Sequence, residues 1–246
     1  MAELTLIGGP TALIEYGGLR WLTDPTLSPP GDQTDGLTKT TGPALDPGAL
    51  GRIDVVLLSH DEHSDNLDAA GRAFLERADR VLTTRGGAGR LTVPAIGMEP
   101  WSTIELGSVQ VTAVPALHGP PGCEEAVGEV IGFVLSDGGA RVYVSGDNAS
   151  VTVAREIGER VGPIDVAILF AGAVQIPDIL GGAYLTLSSD RAAQVAELLG
   201  AEVVIPLHFE GWTHFTQGAA ELRASFAGYG LTDRLRLPER GVPLAF

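Results

Sequence analysis

Short apolar runs alternate with polar breaks along the chain, and the period within each run predicts an element. Leu4-Thr5-Leu6-Ile7-Gly8-Gly9 and Ala12-Leu13-Ile14-Glu15-Tyr16 read as strands. Gly17-Gly18 then reads as a hairpin turn into a third strand, Leu19-Arg20-Trp21-Leu22-Thr23, which Asp24-Pro25 ends. Residues 26–49, rich in Pro, Gly, Thr and Asp, show no period. Loops of that length are commonly functional, so this one is expected to wall or cover a site. Ile53-Asp54-Val55-Val56-Leu57-Leu58 reads as a buried strand. Leu67, Ala70, Phe74, Leu75 and Ala78 recur at helical spacing and predict a helix over 67–78. Further strands are expected near 81–84, 103–106, 109–114, 130–135, 141–145, 165–170 and 202–206, with helices over 150–160 and 190–199. A last helix near 216–227 and a strand near 234–237 close the pattern. Strands dominate early and helices alternate with them in both halves. This order predicts an α/β fold of two packed sheets flanked by helices, one domain over 1–246.

Composition narrows the function classes. A chain of 246 residues with 44% hydrophobic side chains can bury a sizeable core, and it holds no apolar run of ~18 residues that predicts a membrane span. The formal charge of -15 disfavours nucleic acid and other polyanions as partners. Cys123 is the only cysteine, so no internal disulfide is expected. Met1-Ala2-Glu3-Leu4-Thr5 lacks the basic and apolar regions of a signal peptide, and a cytoplasmic location is the expectation.

The chemistry gathers where strands end. Of the five histidines, His60 and His63 lie in Ser59-His60-Asp61-Glu62-His63-Ser64-Asp65-Asn66, directly after the 53–58 run. His118 ends the 109–117 segment, His208 ends Val203-Val204-Ile205-Pro206-Leu207, and His214 lies one short loop later. Asp147 ends Arg141-Val142-Tyr143-Val144-Ser145-Gly146. Imidazoles and carboxylates at the carboxyl ends of several strands describe a metal site with hydrolytic potential. Each residue also has an ordinary reading. Asp65 or Asn66 would cap the next helix, Asp147 and Asp24 would form turns, and His214 would be a surface histidine. The crowding favours ligation for His60, His63 and Asp65, and leaves Asn66 and His214 open.

A hairpin ending in Thr23-Asp24-Pro25, the His60 motif, His118, Ser145-Gly146-Asp147 and His208 follow one another in an order that resembles the metallo-β-lactamase superfamily. The likeness covers nearly the whole chain. Leu207-His208-Phe209-Glu210-Gly211-Trp212-Thr213-His214 is similar to the last motif of the branch that includes ascorbate-6-phosphate lactonase. The resemblance implies a four-layer αββα sandwich and one or two divalent ions, zinc first, with manganese or iron as alternatives. His60, His63 and His118 would form one site, Asp65 and His208 a second, and Asp147 would bridge them. Asp65 would orient the attacking water and His214 would protonate the leaving group. The family pattern is His-x-His-x-Asp-His. Here one extra residue separates His60 from His63, which leaves Asp61 and Glu62 as alternative ligands. Asn66 stands where the family has an imidazole, which implies a weaker second site. The implied activity is attack by a metal-activated hydroxide on a small polar metabolite, a lactone or other carboxylic ester. Phosphodiester hydrolysis is the alternative, and a degenerate, metal-free binding protein is the rival. The expected partner is a small-molecule substrate, with homo-oligomers implied only by analogy to the family.

Overall fold

β1 (Glu3–Gly8), β2 (Thr11–Tyr16) and β3 (Leu19–Thr23) form the expected meander. Inside the 26–49 loop, β4 (Gly31–Asp32) and β5 (Thr38–Lys39) make a small hairpin. The first half continues through β6 (Ile53–Leu57), α1 (Ala69–Phe74), β7 (Ala78–Thr84), α2 (Arg85–Arg90) and β8 (Ile96–Met98). Next come β9 (Thr103–Leu106), β10 (Val109–Pro115), α3 (Glu124–Val127), β11 (Ile131–Ser136) and β12 (Val142–Val144). The chain ends with α4 (Val151–Val161), β13 (Val166–Phe170), α5 (Ser189–Leu199), β14 (Val203–Leu207), α6 (Ala219–Gly228) and β15 (Pro243–Ala245). These elements come from a computed structural model that describes residues 2–246.

Seven strands pair in the order β15-β1-β2-β3-β6-β7-β8, and six in the order β14-β13-β12-β11-β10-β9. Both sheets are mixed, antiparallel on one side and parallel on the other. Trp21, Val55 and Leu57 of the first sheet meet Phe133, Ile168 and Phe170 of the second in a buried layer between them. The outer face of the second sheet packs on α4, α5 and α6 through Leu169, Ile157, Val195 and Phe226. On the other side, Ile53, Val56 and Leu58 pack against Leu67, Phe74 and Leu75 around α1. The layers are therefore αββα. β6 is apolar at every position but Asp54 because its two faces enter two different cores.

Three expectations shift. The 67–78 helix is shorter, because Asp68 caps it by accepting from the Gly71 amide at 2.8 Å, and a 3₁₀ turn over Leu75–Arg77 ends it. The last helix likewise starts late, where Glu221 reaches back to the Gly218 amide at 2.9 Å. No strand forms over 234–237. Leu235 makes a lone parallel bridge to Val204, with the Arg236 amide donating to the Val204 carbonyl at 2.8 Å. The next bond of that ladder would need an N–H from Pro206, which has none. β15 instead closes the far edge of the first sheet against β1.

Candidate metal centre

β3 and β6 run parallel, so Asp24 and the His60 motif leave the first sheet at the same end. In the second sheet β12, β13 and β14 are parallel, and β10 shares their sense through two antiparallel steps across β11. His118, Asp147 and His208 consequently emerge together. The turn at Gly146 brings the two sheets close. Its φ is +56°, and a Cβ there would sit 2.6 Å from the Ile131 carbonyl oxygen and 2.9 Å from the Ser59 Cβ. His208 itself adopts a φ of +55°, a strained conformation of the kind that collects at functional sites.

Two groups of donors result. The ligand atoms of His60, His63 and His118 lie within 4.8 Å of one another, and so do those of Asp65, Asp147 and His208. His60 Nε2 and His63 Nδ1 face each other at 2.8 Å, and two nitrogens that close cannot both carry a hydrogen. The Leu67 amide donates to the His63 carbonyl at 2.9 Å, closing the turn that follows the second ring. Asp147 lies between the groups, Oδ2 3.6 Å from His118 Nδ1 and Oδ1 3.8 Å from His208 Nε2. Asp65 Oδ2 is 3.3 Å from His208 Nε2 and 2.8 Å from His214 Nε2.

Outer contacts orient these rings. The Ser59 hydroxyl lies 2.9 Å from His60 Nδ1 and donates to Asp24 Oδ1 at 2.9 Å, beside the Ser59 amide at 2.8 Å. His118 Nδ1 donates to the Leu185 carbonyl at 2.8 Å, which leaves Nε2 with its lone pair. Burial, and then the neighbouring His63 and His118, hold His60 well below the usual imidazole range. Burial also lowers His118. At His208 burial pulls downward too, but the carboxylates of Asp147 and Asp65 outweigh it and raise the pKa. At Asp65 the imidazoles of His208 and His214 overcome burial and hold the carboxyl well below its ordinary value.

The donor set fits a divalent cation. Asn66 Oδ1, Asp147 Oδ2 and both ring nitrogens of His208 are buried without hydrogen-bond partners. Such atoms cost about 1–3 kcal/mol each unless something satisfies them. Asn66 donates its Nδ2 to Asp147 Oδ1 at 3.3 Å. With Asp68 as the helix cap, neither Asp65 nor Asn66 is needed for capping.

Asp61 and Glu62 do not join the centre. Arg90 Nε lies 3.1 and 3.2 Å from the two oxygens of Asp61, Arg72 donates to the Asp61 carbonyl at 2.8 Å, and Glu62 also pairs with Arg90. Trp212 is buried against Lys39, and Phe215 packs on both His208 and His214. Cys123 is buried with Sγ 3.4 Å from the His118 carbonyl oxygen.

His63, Asp65, His118 and His214 line a cleft of about 90 Å³, walled by the 26–49 loop through Asp35 and Leu37 and by the 171–187 segment. Asp35 is tied down by the Ser64 amide and hydroxyl at 2.8 and 2.7 Å. Sequence reasoning expected a wall from the 26–49 loop but not the particular residues that form it, and it missed the Arg90 clamp.

A family model described as beta-lactamase superfamily domain matches residues 20–209. A UPF0173 metal-dependent hydrolase of Methanoregula boonei is 33% identical over 65% of this chain and 68% of its own length. Another, from Anaeromyxobacter sp. strain K, is 28% identical over 99% of this chain and 86% of its own length. Among solved structures, an isothiocyanate hydrolase from Delia radicum gut bacteria superposes with a TM-score of 0.86 at 19% identity, covering 99% and 98% of the two chains. A metallo hydrolase of Ignicoccus hospitalis gives 0.75 at 22% identity over 100% and 99%. Family match, fold and His/Asp centre agree: the chain belongs to the metallo-β-lactamase superfamily, among the UPF0173 metal-dependent hydrolases.

Proposed function

We propose that the protein hydrolyses a lactone or other carboxylic ester, using divalent ions, zinc first among the candidates. His60, His63 and His118 would hold one ion and Asp65 and His208 a second, with Asp147 between the two groups. The observation that most supports this is the set of buried, unpartnered donor atoms beside a cleft that exposes His63, Asp65, His118 and His214. When bound, such an ion lowers the pKa of a water to about 7 and polarises the electrophile.

The remaining tasks fall to the chain. Asp65, kept ionised by His208 and His214, orients the water and accepts its proton. His214, on the cleft wall and 2.8 Å from Asp65, carries that proton to the leaving group. Ser59 and the Leu185 carbonyl keep the His60 and His118 rings in place.

A second reading comes from the isothiocyanate hydrolase that shares the fold. An isothiocyanate also offers an uncharged carbon electrophile, and the apolar wall of the cleft suits it. The test is a panel of lactones, aryl esters, isothiocyanates and a phosphodiester, assayed on protein loaded with zinc, manganese or iron. Turnover is expected for carbon electrophiles and lost in His63→Ala. Preferred turnover of the phosphodiester would contradict the proposal.

A further inference from the structure

We infer that the organic part of the substrate is uncharged and apolar, a deepening that rests on the hydrolase reading above. Leu37, Val127, Val174, Ile176, Ile179 and Leu185 supply most of the cleft wall around the donor residues. They come from three separate segments, and Leu37, Ile176 and Ile179 are only partly buried. Side chains of this kind, facing an open cleft beside a reactive centre, gain by covering an apolar tail. Each methylene buried against them is worth about fourfold in affinity.

The polar inventory points the same way. Among the described residues, the only polar side chains on this wall are Asp35, His63, Asp65, His118 and His214. No lysine or arginine lines the cleft. The nearby bases are already engaged. Arg90 holds Asp61 and Glu62, Lys39 is buried on Asp68 at 3.0 Å, and Arg240 pairs with Glu210 at 2.7 Å. Asp35 adds a fixed negative charge at the exposed rim. A phosphate or carboxylate carried away from the reacting carbon would meet that charge and no cation. The polar metabolite and the phosphodiester that the resemblance suggests therefore suit this cleft less well than a neutral ester, lactone or heterocumulene with an aliphatic or aryl tail. The cleft offers only about 90 Å³, so the tail is short.

The test uses two metal-chelating probes of equal length on the metal-loaded full chain, with binding measured by calorimetry. Hexanohydroxamic acid ends in a methyl group, and adipic acid monohydroxamic acid ends in a carboxylate. Hexanohydroxamic acid is expected to bind at least about tenfold more tightly. Ile176→Lys, a change in a partly exposed loop, is expected to abolish or reverse that preference without changing metal content. Equal or tighter binding of the carboxylate probe to the wild type would overturn the inference while leaving the metal centre standing. If neither probe binds protein whose metal content is verified, the open metal site itself fails, and the inference fails with it.

Discussion

His60, His63 and His118 meet as three rings, two of them held in place from outside by a hydroxyl and a carbonyl. Asp65, Asp147 and His208 meet as two carboxylates and one ring, with buried atoms that nothing in the protein satisfies. His60 and His118 are preset: burial disfavours their protonation, so a cation has little proton to displace there. In the second group two carboxylates flank one ring, and they raise the His208 pKa. One half thus offers geometry and the other offers charge. A single fold end supplies both, because its strands present imidazoles from both sheets and the loops that follow β6 and β12 add the carboxylates of Asp65 and Asp147.

The largest expected effect separates the halves by mutation. His63→Ala or His118→Ala is predicted to lose the metal of the imidazole group and to lower kcat/KM by about 10³-fold or more, on the scale of several kcal/mol of metal stabilisation. Elemental analysis beside a steady-state assay checks it, and unchanged metal content would break the assignment. Chelation comes next. Stripping the ions is predicted to lower the melting temperature by about 5–10 °C, from ~2.7 kcal/mol of binding stabilisation at a hundredfold excess over Kd. Differential scanning fluorimetry reads this directly.

Acid then discriminates the groups. A raised His208 pKa means that protons compete with metal there at higher pH than at an ordinary imidazole, so occupancy falls early as the pH drops. Lowered pKa values at His60 and His118 mean that the imidazole group keeps its ion to lower pH. Metal retained after dialysis across a pH series should therefore leave in two stages, carboxylate group first. Loss in a single step would remove the distinction.

Ser59→Ala frees His60 Nδ1 from its partner and is predicted to weaken the imidazole group about 10–100-fold, while the carboxylate group changes little. The smallest effect is Asn66→His. Replacing a neutral amide oxygen by imidazole should tighten the second ion by about tenfold or less. Competition with a chromophoric chelator measures both.

Much of this was legible in the sequence because it depends on strands buried on two faces. The 53–58 run and the 165–170 run stand out for that reason, and the residues at their ends declare themselves by chemistry. Asp61 and Glu62 illustrate the limit. Their spacing allowed ligation, and only the position of Arg90 decides against it. α2, which carries Arg90, reads Arg-Gly-Gly-Ala-Gly-Arg, a composition poor in helix formers. It forms because Thr84 caps it and because Gly87 has no Cβ, which would sit 2.8 Å from Thr83 Oγ1 and 3.1 Å from Asp61 Oδ1. Close packing of that kind has no periodicity to announce it. The particular residues of the cleft wall were hidden for a similar reason, although the 26–49 loop was expected to wall a site. Leu37, Val174 and Ile179 sit in loops with no repeat, and the fold alone turns them toward His63 and His118.

The central claim is that this chain holds two unlike metal positions. Elemental mass spectrometry of protein reconstituted with zinc, for wild type, His118→Ala and His208→Ala, tests it most directly. The account predicts close to two equivalents in the wild type and close to one in each variant, with His118→Ala inactive. No metal in the reconstituted wild type, or full occupancy in both variants, would contradict it.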